Sequence, residues 1–139
     1  MGHTLQMVRP CFLVIDREHA GAISTRKLVI ETAKFNVLTS YSSAEAIATL
    51  EKFPAVDGVV VDAGMDDMHC TDLVRRLNQI RPNIPIVAIS PPGAPNCEGV
   101  THQLESFDPR RLLAILEKLM PEAADEIEKR EEDLARRNE

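Results

Sequence analysis

The chain contains 139 residues, a length that suits one domain around one hydrophobic core. Hydrophobic residues make up 44% of the sequence but aromatic residues only 4%, so we expect a core of aliphatic side chains. The net charge of −6 disfavours direct binding to nucleic acid, and every apolar run is far shorter than the roughly 20 residues that span a bilayer.

The N-terminal residues and the cysteines bear on the compartment in which the chain works. Residues 1–10 contain no apolar stretch of the signal-peptide type, so the sequence predicts a cytoplasmic protein. The three cysteines, Cys11, Cys70 and Cys97, are an odd number without C-x-x-C spacing. We therefore expect ordinary reduced thiols, and neither a disulfide framework nor a zinc ribbon.

Short apolar runs typical of buried strands alternate with segments of helical periodicity. The strands are predicted at residues 11–15, 37–38, 59–61, 84–89 and 100–104. The helical segments are predicted at residues 20–30, 46–53, 73–80 and 112–119. The expected N-caps are Ser42 with Glu45 in a capping box, Thr71 or Asp72, and Asp108 followed by Pro109. This alternation implies a parallel sheet, in which functional residues collect outside the carboxyl ends of the strands.

Two segments depart from the regular alternation. Residues 91–99 contain three prolines and two glycines, which predicts a loop or a single turn where a crossover helix is usual. Residues 121–139 are rich in charge and contain acid-before-base pairs four residues apart, which predicts a solvated helical tail or linker. The alternative is a coiled-coil seam that joins two copies in a homodimer, formed by Leu113, Met120, Ile127 and Leu134 and interrupted by Pro121.

Four polar residues stand at the ends of predicted strands: Asp16, Asp62, Ser90 and Glu105. A parallel sheet gathers such residues around one crevice. With the motifs at residues 12–18, 56–62, 83–90 and 107–109, this constellation resembles the receiver domain of response regulators over residues 10–120. The resemblance implies an α/β, flavodoxin-like, doubly wound five-stranded sheet in the order 2-1-3-4-5.

The resemblance also implies a phosphorylation switch in a two-component phosphorelay. Asp62 stands in the phosphoacceptor position, and Asp16, Glu18 and Asp62 are the candidate ligands of Mg²⁺. Ser90 would supply the hydroxyl that follows the phosphoryl group, and a histidine kinase would supply the phosphate. Beyond taking up phosphate and slowly hydrolysing it, the chain is not expected to be an enzyme.

Several positions depart from the pattern of the family. Arg17 stands where the family has its second metal-binding acid, and Glu105 where it has the lysine that pairs with phosphate. His102 occupies the place of the aromatic switch residue. We expect an ion pair between Arg17 and Glu105 across the pocket mouth, with Arg17 close enough to Asp16 or Asp62 to replace the metal. The alternative is that Arg17 and Glu105 are separate rim charges and that Mg²⁺ still binds.

Two functions follow from these alternatives. The first is a signalling module that acts by contact with a histidine kinase, another signalling protein or a second copy, with weak or no phosphorylation. The second is a Mg²⁺-dependent phosphoacceptor. A flavin-type cofactor is disfavoured because no Gly/Ser/Thr-rich phosphate loop follows the first strand. The residues Asp66, Asp67, His69 and Cys70 are metal-ligand types, yet a loop of this kind more often caps the following helix.

Overall fold

The computed structural model describes residues 9–17, 24–120, 129 and 131–136. Its strands are β1 (Cys11–Ile15), β2 (Asn36–Ser40), β3 (Gly58–Asp62), β4 (Ile86–Ser90) and β5 (His102–Glu105). All neighbouring strands are parallel and form one sheet in the order β2-β1-β3-β4-β5. The predicted flavodoxin-like sheet is therefore confirmed, including its strand order.

A helix follows each of the first three strands and the last one. They are α1 (Thr25–Thr32), α2 (Ser43–Lys52), α3 (Cys70–Ile80) and α4 (Pro109–Leu119). Two predicted N-caps are confirmed: Ser42 accepts a hydrogen bond from the backbone N–H of Glu45 at 3.0 Å, and Asp108 accepts one from Arg110 at 3.0 Å. These side chains satisfy backbone donors that the first helical turn leaves unpaired.

Two separate cores fix the sheet between its helices. Leu13 and Val59 face the core that α2 and α3 cover, whereas Phe12 and Val60 face the core on the side of α1 and α4. Neighbouring residues of a strand point to opposite faces, so β1 and β3 contribute to both cores. Every residue of β3 and β4 is buried. The carboxyl ends of the central strands are consequently held in place by packing on both sides.

The connection between β4 and β5 contains turns but no helix, which confirms the prediction for residues 91–99. The expectation that all cysteines are reduced is wrong, because a disulfide joins Cys70 at the start of α3 to Cys97 in this connection. The two cysteines are 27 residues apart in the sequence, and only the fold brings their Cα atoms within 5.6 Å. Cys11 remains a free, half-buried thiol.

Residues 129 and 131–136 of the tail are helical. The predicted pair Glu132–Arg136 forms at 4.0 Å, and Glu131 lies 3.9 Å from Lys34 of the domain. The other predicted pairs of the tail, and Ile127 of the predicted seam, involve residues outside the described ones. Across the described ranges, no helix is both long and apolar enough to cross a membrane.

The loop between β3 and α3 caps two helices. His69 accepts a hydrogen bond from the backbone N–H of Thr71 at 3.3 Å, so the predicted cap at Thr71 or Asp72 is wrong. The helix begins before Thr71, which leaves that residue inside the first turn. Asp67 accepts hydrogen bonds from the backbone N–H and the hydroxyl of Ser43, at 2.7 and 2.8 Å. Two residues of the metal-ligand type thus accept hydrogen bonds at helix starts: His69 as the N-cap of α3 and Asp67 from the first residue of α2.

Replacement of Asp67 by alanine is expected to lower the free energy of unfolding by about 1 kcal/mol, because the first turn of α2 loses a charged acceptor. Chemical denaturation followed by circular dichroism measures this loss. Asp66 is the matched control: it is exposed, has the same charge and makes no hydrogen bond among the described residues. Asp66→Ala should change the stability by less than about 0.5 kcal/mol. Equal effects of the two substitutions would contradict the capping role.

Candidate functional site

The carboxyl ends of β1, β3 and β4 place three polar side chains in one crevice. Asp16 and Asp62 are each 4% exposed, and Ser90 is 3% exposed. A cavity of about 360 Å³ opens beside the two aspartates, and a smaller one of about 120 Å³ adjoins Asp62 and Ser90. The predicted convergence of strand ends thus brings these three residues together, while Glu105 at the end of β5 lies exposed.

Asp62 uses both carboxylate oxygens. Its Oδ1 atom accepts a hydrogen bond from the backbone N–H of Gly64 at 2.7 Å. Its Oδ2 atom accepts hydrogen bonds from Arg17 Nε at 3.1 Å and from Arg26 Nη1 at 2.9 Å. Gly64 allows this close approach, since a Cβ atom there would lie 3.2 Å from Oδ1. Three donors, two guanidinium groups and one backbone amide, therefore surround the carboxylate of Asp62, the predicted phosphoacceptor.

Asp16 is bound in a similar way by the start of α1. Its Oδ2 atom accepts a hydrogen bond from the hydroxyl of Ser24 at 2.8 Å. Its Oδ1 atom accepts hydrogen bonds from the backbone N–H of Arg17 at 2.8 Å and from Arg26 Nη1 at 3.2 Å. Ser24 is also the N-cap of α1, where it accepts a hydrogen bond from Lys27 at 3.2 Å. The cap thereby ties the helix, and Arg26 with it, to Asp16.

Arg26 is the central cation of the site. One of its nitrogens, Nη1, lies within hydrogen-bonding distance of both Asp16 and Asp62, and its side chain is only 16% exposed. The guanidinium carbon lies 5.6 Å from the ring centre of Phe107, a separation suited to a cation–π contact. Two carboxylates and one aromatic ring therefore hold this side chain in a single position.

The sequence did not single out Arg26 or Ser24. The available signal was the position of Arg26 in the first turn of a helix, where the helix dipole disfavours a cation. An arginine there is stable when an anionic partner compensates, and the strand-end aspartates are the nearest candidates in this fold. The cap Ser24 is of the preferred residue type, but its predicted helical segment began earlier, at residue 20.

The predicted ion pair between Arg17 and Glu105 is wrong. Arg17 pairs with Asp62, which agrees with the other half of the prediction, that Arg17 lies close to Asp16 or Asp62. Glu105 makes no ion pair with any residue that the structure describes. The reason is the difference in burial between the two acids. A carboxylate that has lost its water needs a cation, whereas an exposed glutamate keeps its hydration and gains little from a partner.

Ser90 and the edge strand complete the rim of the site. The Ser90 hydroxyl accepts a hydrogen bond from the side-chain amide of Gln103 at 2.8 Å and contacts the carbonyl of Leu104 at 3.5 Å. His102, at the predicted switch position, is half-buried at the start of β5 and is paired in register with Val87. Glu18, a predicted metal ligand, lies outside the described residues.

The electrostatic balance keeps Asp62 ionised. Burial by itself raises the pKa of this carboxyl, but hydrogen bonds from Arg26 and Gly64 and the positive charges of Arg26 and Arg17 act in the opposite direction. The resulting pKa lies below the usual value of 3.8. The described part of the site therefore contains two carboxylates and two guanidinium groups, whose formal charges cancel.

Comparisons with known proteins agree with this geometry. The family model of the response regulator receiver domain matches residues 12–105, and the chain belongs to this family. Two Escherichia coli proteins, the transcriptional regulatory proteins GlrR and QseF, are each 25% identical to it over 96 residues, which is 68% of this chain and 21% of theirs. The chain thus spans about a fifth of the length of these curated relatives.

Solved structures show the same fold. The chemotaxis protein CheY4 of Vibrio cholerae superposes with a TM-score of 0.68 at 22% identity, covering 81% of this chain and 99% of that one. A CheY-like receiver domain from Methanospirillum hungatei has a TM-score of 0.71 at 19% identity, covering 86% and 99% of the two chains. The chain is accordingly a receiver domain of the two-component type, a class that typically signals without being an enzyme.

Receiver domains commonly bind Mg²⁺ at the phosphorylation site, but the described residues here do not fit this ion. Arg26 Nη1 already bridges the two aspartates, in the manner of a shared cation. Among the residues that the structure describes, no group of three or more acidic, histidine or cysteine side chains could hold a metal. A divalent ion would have to displace a guanidinium, or else add two positive charges to a balanced site.

Replacement of Arg26 by glutamine is expected to lower the free energy of unfolding at neutral pH by about 3 kcal/mol, because two buried carboxylates lose their shared cation. Urea denaturation followed by circular dichroism measures the loss. The control is Arg75→Gln, which removes an exposed arginine paired with Asp72 and should cost less than about 0.5 kcal/mol. A loss for Arg26→Gln no larger than that of the control would refute the bridging role.

The pH dependence of stability should change in the same variant. Because the folded-state pKa of Asp62 lies below its usual value, the native chain has this stabilisation above pH 3.8 and loses it as the pH falls through the folded-state pKa. Without Arg26 that pKa rises, so Arg26→Gln should lose less stability on acidification than the native chain does. Denaturation curves measured across the acidic range provide the comparison. Parallel pH profiles for the two proteins would contradict the assigned contact.

Proposed function

We propose that this receiver domain signals by protein–protein interaction, with weak or no phosphorylation of Asp62. The observation that carries the proposal is the pair of contacts at one atom: Arg17 Nε and Arg26 Nη1 lie 3.1 and 2.9 Å from Asp62 Oδ2. Attack on a phosphodonor requires a carboxylate oxygen with an available lone pair. Charge-assisted hydrogen bonds reduce that availability at Oδ2, and the Gly64 amide does so at Oδ1.

The arginines also bear on the metal that phosphorylation needs. A phosphoryl group adds a charge of about −1.5 to −2, which is tolerable only where cations and donors receive it. In the proposed function, Arg17 and Arg26 take the place of Mg²⁺ by neutralising Asp16 and Asp62 directly. Asp16 and Asp62 then stay ionised and paired with the arginines. Glu105 is an exposed charge at the rim of the site, without a role in binding phosphate.

The partners belong to the same proposal. The supporting observations are the family membership and the net charge of −6, which favour a histidine kinase or another signalling protein over nucleic acid. We place the domain at residues 10–120 and the charged tail at 121–139, in a cytoplasmic protein. A homodimer through the tail is supported by Leu134, which is 47% exposed on a described helical turn.

The rival function is a Mg²⁺-dependent phosphoacceptor that a histidine kinase phosphorylates on Asp62. It is favoured by one observation: Asp62 stands at the carboxyl end of a fully buried strand and lines the cavity that opens beside it. In this function, Asp16, Glu18 and Asp62 bind the ion, Asp62 receives the phosphoryl group, and the Ser90 hydroxyl follows it. The arginines move aside. The two functions differ in whether the native chain takes up phosphate.

Incubation with acetyl phosphate and Mg²⁺ is expected to leave the intact mass of the native chain unchanged. The combination of Arg17→Asp, Arg26→Gln and Glu105→Lys removes both guanidinium groups and supplies an acid and a lysine at the family positions. This variant should gain one phosphoryl group, as measured by mass spectrometry. The pair Arg17→Asp and Glu105→Lys alone should gain less, because Arg26 still bridges the aspartates.

The control adds Asp62→Asn to the triple variant and should abolish the gain in mass. Circular dichroism checks that each variant remains folded. Phosphorylation of Asp62 in the native chain to the same extent as in the triple variant would overturn the proposal and establish the rival function.

A further inference from the structure

The helix-free connection between β4 and β5 is fastened to α3 at its far end. Cys97 forms the disulfide with Cys70, and the backbone N–H of Glu98 donates a hydrogen bond to the Thr71 hydroxyl at 3.3 Å. Cys97 is 4% exposed, although most of the residues around it in the connection are exposed. Cys97 is thus the one buried residue in the fully described stretch 91–100.

Little else in the connection resists opening. Among residues 91–100, all of which the structure describes, one backbone–backbone hydrogen bond forms, from Ala94 to the carbonyl of Pro91 at 3.1 Å. The three prolines have no N–H to donate. Segments with few buried contacts and few backbone hydrogen bonds open locally at low cost. The disulfide is therefore the strongest link between this connection and the rest of the domain.

The disulfide is also linked to the functional site through one side chain. The backbone N–H of Cys97 donates to Gln103 Oε1 at 3.1 Å, and Gln103 Nε2 donates to the Ser90 hydroxyl at 2.8 Å. Ser90 lines the smaller cavity beside Asp62. Because a single amide makes both hydrogen bonds, a displacement of Cys97 changes the position of the group that holds Ser90.

We propose that Cys70 and Cys97 are a reversible redox modification site that fixes or releases the β4–β5 connection. In the disulfide state the connection lies against α3, and Gln103 holds Ser90. In the dithiol state the connection separates from α3, which exposes that helix face and frees the Ser90 hydroxyl. The site acts independently of any phosphorylation of Asp62.

The oxidant is a small-molecule disulfide, and the reaction is thiol–disulfide exchange. The Cys70 thiolate attacks one sulfur of the small disulfide and expels a thiolate. The Cys97 thiolate then attacks the Cys70 sulfur of the mixed disulfide and expels the second thiolate. Two electrons pass to the small disulfide, and the two protons lost by the cysteines are taken up by the released thiolates. Cys70 is the first residue of α3, where the positive end of the helix favours a thiolate.

Whether this exchange serves signalling depends on the cellular compartment of the protein. In a reducing cytoplasm, disulfides are usually transient and serve catalysis or redox sensing. The cytoplasmic location is part of the proposed function, so the physiological reading rests on that proposal. The exchange itself is a property of the purified chain and is measured without any phosphodonor, so its failure is distinguishable from a failure of the proposed function.

The test equilibrates the full chain with mixtures of reduced and oxidised glutathione and then alkylates the free thiols. Mass spectrometry should find one alkylated cysteine, Cys11, under oxidising mixtures and three under reducing ones. Hydrogen exchange of the amides of residues 94–101 should be about tenfold faster or more in the dithiol state. Amides of β1 should exchange at equal rates in the two states.

Two variants serve as controls. Cys11→Ala should change from no alkylated cysteine to two, which shows that the responding pair is Cys70 and Cys97. Cys97→Ser should show fast exchange in residues 94–101 under all mixtures, and Cys70→Ser replaces it if that variant does not fold. Three alkylated cysteines under oxidising glutathione would overturn the proposal, as would a disulfide that excess reduced glutathione leaves intact. Equal exchange rates of residues 94–101 in the two states of the native chain would also overturn it.

Discussion

Two nearly buried carboxylates at adjacent strand ends require a cation, and this requirement organises the site. In the sheet, Ile15 of β1 pairs with Val61 of β3, so the residues that follow them, Asp16 and Asp62, are neighbours. Parallel strands lie about 4.8 Å apart, a distance at which two buried negative charges repel strongly. The fold therefore forces a choice between a bound metal ion and a cation from the chain itself.

Arg26 meets that requirement through local structure as much as through charge. Ser24 caps α1 and donates to Asp16, which places the first helical turn beside the crevice. Phe107, just before α4, lies next to the guanidinium and limits its movement. Every residue of β3 and of its neighbour β4 is buried, so the sheet holds Asp62 inside the crevice. Neutralisation by arginine thus depends on two helix starts and a rigid sheet.

The parts that could be predicted from the sequence are those in which local pattern and tertiary structure agree. Continuous apolar runs predicted the three central strands, shorter apolar segments predicted the two edge strands, and Asp108 with Pro109 predicted the start of α4. The predicted pair of Arg17 with Glu105 was wrong because the sign of a side chain's charge does not tell which acidic residue the fold buries. Arg26 and the disulfide were missed because their partners are distant in sequence, and neither residue spacing nor periodicity encodes such contacts.

The two unusual features of the domain act on the same crevice from opposite sides. On the side of β1 and β3, Arg26 forms ion pairs with the two aspartates. On the side of β4 and β5, the Cys70–Cys97 disulfide is connected to Ser90 by the hydrogen bonds of Gln103. Under the proposed function, the first link is constant, since Arg26 stays hydrogen-bonded to Asp62 Oδ2. In the proposed redox switch, the second link changes with redox state, since its covalent bond is exchanged. Under the proposed function, the β4–β5 connection can therefore be fixed or released without phosphorylation of Asp62.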